Sequence, residues 1–244
     1  MKLKAPLRGK NKISNQELND FENIISLDFK DKNLLKNVFI HRSYLNENPT
    51  SDLKSNERLE FLGDAVIELI VTEYMFNNYP NPEGELTAWR SALVRGKNLA
   101  EIARKFEIGK YLYLSKGEEK MGGRERELLL ANAFEALIGA IYLEKGYNET
   151  KKFIEIYLLD KLPEVINKKI YLDPKTELQE KSQEELNITP TYEVLSDEGP
   201  DHAKIFTVGV NLNGKKLGVG KGSSKQSAQV QAARDALKNW PNQE

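Results

Sequence analysis

From residue 17 to residue 147 apolar side chains recur at three- and four-residue spacing, the period of helices that bury one face, and the breaks fall at turn residues. One helix is predicted over residues 56–79, where Asn78-Tyr79-Pro80-Asn81-Pro82 stops it. A second is predicted over 86–106. Met121-Gly122-Gly123 reads as a loop, followed by a long helix over 124–144 that ends at Gly146. Residues 149–159 read as a further helix and 163–170 as a short one. Around Tyr171-Leu172-Asp173-Pro174 the helical spacing is lost, and Pro174 disfavours its return.

Beyond Pro174 the period changes. Residues 175–187 read as helix, 191–195, 205–212 and 217–220 as strands, and 223–240 as helix. Phe206, Val208, Val210 and Leu212 alternate onto one face of the second strand, and Asn213-Gly214 is a hairpin turn. The pattern therefore predicts an all-α domain followed by a small α+β (α-β-β-β-α) domain. The expected boundaries are a tail over 1–18, a helical domain over 19–167, a linker over 168–172 and the second domain over 173–241.

Composition narrows the chemistry. The 244 residues include no cysteine, which excludes thiolate catalysis, disulfides and Cys-ligated zinc. With only two histidines, His41 and His202, any metal must be held mainly by oxygen, as magnesium-like ions are. No apolar run is long enough for a transmembrane helix, and the charged start Met1-Lys2-Leu3-Lys4 lacks the apolar core of a signal peptide, so a cytoplasmic protein without membrane contact is expected. The formal net charge of −1 hides an uneven distribution. Residues 173–203 carry nine acidic and two basic side chains, whereas 204–244 carry seven basic and two acidic. The first twelve residues add five more cations, a basic arm.

The most informative segment is Asn56-Glu57-Arg58-Leu59-Glu60-Phe61-Leu62-Gly63-Asp64-Ala65. On a helix Glu57, Glu60 and Asp64 share one face, while Leu59, Phe61, Leu62 and Val66 are expected to pack on the other sides. Like charges so placed cost stability unless they are solvated, protonated or bound to cations. On spacing alone a solvated acidic stripe is the commoner origin of such a face. A second segment changes the balance. Asn132 and Glu135 stand three apart in a helix that is otherwise almost wholly apolar, so their polar groups need partners. Gly139 and the neighbouring alanines would let another backbone approach, and two such helices face to face could form an oxygen-lined metal cage.

Residues 56–65 closely resemble the signature segment of the ribonuclease III family, and 131–140 resemble that family's second acidic helix. The similarity extends through His41-Arg42-Ser43-Tyr44, Glu83-Gly84-Glu85-Leu86-Thr87, Leu93-Val94-Arg95 and Gly122-Gly123-Arg124. It implies a homodimeric endonuclease that cuts double-stranded RNA with Mg²⁺ (or Mn²⁺ in its place) and no organic cofactor. The products would be 5′-phosphate and 3′-hydroxyl ends with two-nucleotide 3′ overhangs, and processing of ribosomal and other structured RNA precursors is the expected role. By position, Glu60, Asp64, Asn132 and Glu135 match its metal ligands, and Glu57 and Glu83 match carboxylates near the cleavage site at the dimer interface. No family role attaches to Glu68, and His41 is expected to pack or cap. Arg90 and Arg95 could meet phosphate or be solvated. Asn132 departs from the family, which often carries Asp there. It brings an oxygen but no charge, so weaker magnesium affinity is expected.

Residues 173–240 resemble a double-stranded-RNA-binding domain, through Asp173-Pro174-Lys175-Thr176-Glu177-Leu178-Gln179-Glu180, Gly199-Pro200-Asp201-His202 and Gly220-Lys221-Gly222-Ser223-Ser224-Lys225. Such domains read the shape of an A-form duplex. The resemblance places Thr176, Gln179 and Glu180 in one minor groove, Pro200 and His202 in the next, and Ser223, Ser224 and Lys225 at phosphate. Gln226 and Ser227 stand where relatives often have basic residues, which implies fewer phosphate contacts. The alternative reading is a catalytically weak or inactive RNA-binding or ribosome-assembly protein on the same fold, supported by Asn132. A nucleotide or pyrophosphate hydrolase with helical carboxylates would leave the second domain unexplained.

Overall fold

The computed structural model describes residues 13–50, 53–168, 171, 173–200 and 203–240. The chain divides into two compact units after Lys168.

The first unit is helical. α1 (Asn15–Ile25) opens with a capping box in which the Ser14 hydroxyl accepts from the Glu17 N–H and the Glu17 carboxylate accepts from the Ser14 N–H. Then come α2 (Lys32–Val38), capped by Asp31, and the short α3 (Arg42–Glu47), capped by His41. α4 (Glu57–Asn78) ends before the predicted Pro80 stop. α5 (Glu83–Leu93) and α6 (Gly96–Lys105) follow, then the short α7 (Lys116–Lys120), the long α8 (Glu127–Lys145), α9 (Tyr147–Tyr157) and α10 (Leu162–Asn167).

α4 and α8 share the most extensive contact in this unit, and α6 also packs on α8. The two central helices touch through their backbones. A methyl group on Gly63 would sit 1.8 Å from the Glu135 carbonyl oxygen, and one on Gly139 would sit 2.3 Å from that of Leu59. Ala131, Ala133, Ala136 and Ala140 are buried along the same helix. Only small residues permit this approach, and it brings the carboxylate-bearing stretches of the two helices side by side.

Three expectations change. The single helix over 86–106 is two helices. The break falls at Arg95, whose ψ of 140° is extended. Asn98 stabilises it, because its side-chain amide donates to the carbonyls of Ala92 and Leu93, both at 2.9 Å, satisfying groups that the end of α5 exposes. The long helix begins at Glu127 instead of residue 124, because Gly123–Glu125 forms a 3₁₀ turn. Arg124 holds that turn through donations to the carbonyls of Gly109 and Leu112, both at 2.9 Å. Phe61 does not pack within the chain. It is 80% exposed, whereas Leu59 and Val66 are buried.

The second unit runs α11 (Pro174–Leu186), β1 (Thr191–Glu198), β2 (Ile205–Leu212), β3 (Lys215–Gly222), α12 (Lys225–Lys238). The sheet is antiparallel in the order β1-β2-β3, and β1 carries a register irregularity between Val194 and Ser196. Asn213 and Gly214 take positive φ of 48° and 77°, the conformation a two-residue hairpin turn requires. Val208 and Val210 meet Leu178, Ala228, Ala232, Ala233 and Ala236 in the core, with Phe206 at its margin. The predicted tail falls mostly outside the described residues, as do residues 169, 170 and 172 of the predicted linker.

Candidate functional site

The start of α4 is pinned to the end of α2 and the segment that follows it. Asn56 is buried, its side-chain amide donates to the Val38 carbonyl at 3.0 Å, and its backbone N–H donates to that of Ile40 at 2.8 Å. The receiving stretch is fixed in turn by a parallel bridge between Ile40 and Tyr113. Glu57, Glu60 and Asp64 therefore project from a rigid helix end, opposite Asn132 and Glu135 on α8.

Their electrostatics show that they share one environment. Burial pushes the Glu60 carboxyl above its ordinary range, and the negative charges of Glu57 and Asp64 act the same way. A hydrogen bond from Asn132 opposes them. Glu135 is pushed up to about 7, first by burial and then by the charges of Asp64 and Glu60. Glu57, Glu60 and Asn132 line a hollow of about 120 Å³ together with His41, Asn56, Leu112 and Leu129. Glu57 also accepts from the Ser55 hydroxyl at 2.9 Å and lies 3.7 Å from the Arg42 guanidinium.

Among the described residues no three His, Asp or Glu side chains are already drawn together as an ion cage. The donor set nonetheless suits a hard divalent cation. Every candidate ligand is an oxygen, and Glu60 and Glu135 are raised first by burial and then by the neighbouring carboxylates, with no cation among the causes.

Glu83 is not part of this cluster within the chain. It opens α5, accepts from the Thr87 hydroxyl at 2.9 Å, and lines a different cavity of about 490 Å³ with Thr72, Phe76, Leu86 and Arg90. Arg90 is engaged locally, 2.9 Å from the Glu68 carboxylate and donating to the Thr72 hydroxyl at 2.8 Å, so it ties α5 to α4. Glu68 thereby has a structural partner.

His41 lines the first hollow and was expected only to pack or cap. It does cap α3: its Nδ1 accepts from the Ser43 N–H at 3.2 Å and lies 2.7 Å from the Ser43 hydroxyl. Burial pushes its pKa down, against the nearby charges of Glu118 and Glu57. Its place on the hollow was not legible, because it precedes the acidic segment by some fifteen residues and is brought beside it by the hydrogen bonds of Asn56 to the Val38 and Ile40 carbonyls.

In the second unit Thr176, Gln179 and Glu180 are exposed on α11, on the side away from buried Leu178 and Ser182. Pro200 is exposed, while Asp201 and His202 lie outside the described residues. Ser223, Ser224 and Lys225 are exposed at the start of α12. Ser224 is its N-cap, accepting from the Ser227 N–H at 3.1 Å, and the Ser227 hydroxyl accepts from the Ser224 N–H at 3.0 Å. Ser227 thus completes a reciprocal cap where a cation was the alternative.

Residues 31–162 match the family model described as ribonuclease-III-like, and residues 174–239 match the double-stranded RNA binding motif. The chain is 44% identical over 224 residues to the ribonuclease 3 of Nitratiruptor sp., covering 91% of this chain and 96% of that protein. The chain belongs to the ribonuclease III family.

As a member it is an endoribonuclease of double-stranded RNA. The ribonuclease 3 of Chloroflexus aurantiacus is 43% identical over 226 residues, covering 91% of each chain. Among solved structures, the nuclease domain of Campylobacter jejuni ribonuclease III is similar to this chain with a TM-score of 0.55 and 39% identity, covering 60% of this chain and 99% of that one. That structure is described as flexible in a region involved in dimer formation. In ribonuclease III terms, the helical unit carries the nuclease model and the α-β-β-β-α unit the RNA-binding motif. Among the described residues no helix is long and apolar enough to cross a membrane.

Proposed function

We propose that the cleft between α4 and α8 is the reaction centre, hydrolysing the phosphodiester to 5′-phosphate and 3′-hydroxyl ends. The carrying observation is that Glu60 and Asp64 from one helix and Asn132 and Glu135 from another share a single electrostatic environment at a backbone contact. These four would hold a divalent cation, Mg²⁺ or Mn²⁺. What such an ion supplies when bound is positive charge against the phosphate and an activated water. The protein's own part is to keep the ligands fixed on two helices that cannot slide. Glu57 sits at the edge of the hollow, where it meets the incoming strand.

The same reading makes the protein a homodimer. Phe61, Leu69 and Phe76 are 80%, 58% and 78% exposed and fall on one face of α4 at helical spacing. An isolated soluble chain rarely carries such a stripe, and beside it lies the cavity lined by Met75, Phe76 and Leu86. A two-fold pairing covers this face with its own copy and sets Glu83 at the interface rim. One chain has one acidic cluster, so two chains cut the two strands, with a two-nucleotide 3′ stagger. The second unit supplies affinity through the exposed face of α11 and the N-terminus of α12, where backbone amides and Lys225 meet phosphate. Structured precursors such as ribosomal RNA are the natural substrates of this arrangement.

A gel of long double-stranded RNA incubated with the purified chain and Mg²⁺, Ca²⁺ or EDTA tests it. Short duplex products with Mg²⁺ alone, lost in Glu135→Gln, are the expected result, and intact RNA in every lane overturns the reading. Sedimentation of Phe61→Lys, expected to run as a monomer, tests the interface separately.

A further inference from the structure

The ring of His41 has two nitrogens with different surroundings. Nδ1 is committed, because it accepts from the Ser43 N–H at 3.2 Å as the cap of α3. The Ser43 hydroxyl, 2.7 Å from Nδ1, itself accepts from the Ser115 N–H at 3.0 Å, which leaves its own hydrogen directed to the ring. With Nδ1 held as acceptor, a neutral ring carries its proton on Nε2, and a charged ring carries one there as well. Nε2 is therefore a donor in either state. Among the described residues it has no hydrogen-bond partner, and the ring lines the hollow shared by Glu57, Glu60 and Asn132.

The backbone on both sides holds this donor still. The His41 N–H donates to the Tyr113 carbonyl at 3.1 Å, and the Tyr113 N–H donates to that of Phe39 at 2.8 Å. The remaining polar side chains of the hollow are two carboxylates and two amides, so a fixed N–H beside them suits an oxygen acceptor that enters from outside.

We infer that His41 Nε2–H donates a hydrogen bond to an oxygen of the ribose-phosphate chain of the strand being cut. This rests on the α4–α8 cleft being the reaction centre. The acceptor belongs either to a 2′-hydroxyl or to a non-bridging phosphate oxygen, and His41 would position the strand against the carboxylates.

Two variants separate the donor from the cap. Asn in place of His41 keeps an acceptor near the position of Nδ1 but has nothing at Nε2, whereas Gln carries an N–H near Nε2 and caps poorly. The full-length protein is assayed with Mg²⁺ on a duplex with one defined cut, measuring kcat and KM alongside thermal melting. His41→Asn is expected to melt like the wild type and to lose about tenfold in kcat/KM, the equivalent of one hydrogen bond. His41→Gln is expected to melt lower and to keep most of its rate. Substrates with a single 2′-deoxynucleotide or a single phosphorothioate at the cut assign the acceptor, because the His41→Asn loss vanishes on whichever one lacks it.

A wild type that fails to cut sinks the proposed function itself. Where the wild type cuts, the inference alone is overturned by a wild-type rate in His41→Asn. It is equally overturned by losses in both variants that follow their melting temperatures, or by an Asn penalty unchanged on both modified substrates.

Discussion

Replacing Glu135 with Gln should stabilise the metal-free protein, and only at high pH. In the unfolded chain this carboxyl titrates near 4.5, whereas in the fold burial and the charges of Asp64 and Glu60 hold it at about 7. The folded state therefore keeps a proton that the unfolded state has shed. Its contribution to stability is fully present below 4.5, falls as the pH rises, and is lost above about 7. At roughly 1.4 kcal/mol per pH unit the gap sets an upper bound of about 3 kcal/mol. Water reaching the partly exposed carboxylate brings this nearer to about 2 kcal/mol. Gln has nearly the same shape and no charge, so it escapes the penalty. Chemical denaturation in EDTA should show the variant more stable than the wild type by about 2 kcal/mol at pH 8.5, roughly 4–8 °C in Tm, with the two converging near pH 4.5. Adding Mg²⁺ at pH 8.5 should raise the wild type and close the gap, because an ion that binds only the folded state stabilises it. A difference that stays constant between the two pH values would refute the reasoning, since it would then come from packing and not from charge.

Other expectations follow from the same geometry. Gly63→Ala places a methyl group 1.8 Å from the Glu135 carbonyl, so α4 and α8 must separate, at a cost of about 3 kcal/mol or more, read from denaturation midpoints. Asn132→Asp adds a negative charge to the cluster; it should tighten the Mg²⁺ response several-fold in titrations of cleavage and lower metal-free stability, and an unchanged response would remove Asn132 from the ligand set. Gln226→Lys, exposed in the first turn of α12, should raise RNA affinity and steepen the dependence of log K on log salt by about 1 if it reaches a phosphate.

The sequence made the element types and the domain order legible because the period of apolar residues changes at Pro174, and period is what packing enforces. Asn132 and Glu135 stand out in the sequence as polar residues on an otherwise apolar helix, and Glu60 and Asp64 as like charges on one helix face, but reading the four as one ligand set rests on the family resemblance. Local hydrogen bonding was harder to foresee. The break at Arg95 depends on Asn98 reaching back to two carbonyls, and the late start of α8 depends on Arg124 reaching the carbonyls of Gly109 and Leu112 earlier in the chain. Neither leaves a mark in apolar spacing, because each is made by a single side chain. His41 was hidden for a related reason: its neighbourhood is created by the hydrogen bonds that the Asn56 side chain and backbone make to the Val38 and Ile40 carbonyls, and by a bridge from Ile40 to Tyr113 some seventy residues away.

Phe61 shows the limit most clearly. Periodicity says which residues share a helix face, but it treats every apolar face as interior to the chain. α4 has three faces with different tasks. Leu59, Gly63, Val66 and Ile70 meet the core, Glu57, Glu60 and Asp64 meet α8's polar pair, and Phe61, Leu69 and Phe76 face outward. The helix is therefore apolar over most of its circumference and gives no sharp amphipathic signal. If a second copy covers the outward face, a substitution there acts on catalysis without touching the acids, because Phe61 is adjacent in sequence to Glu60 on the same rigid turn. Loosening the pairing would then reduce double-strand cutting more than single-strand nicking, since each cleft stays whole while its alignment with the other is lost. Nicked intermediates accumulating in Phe61→Ala, at unchanged melting of the helical unit, would be the signature of that coupling; equal loss of nicks and double cuts would mean that the turn itself had moved.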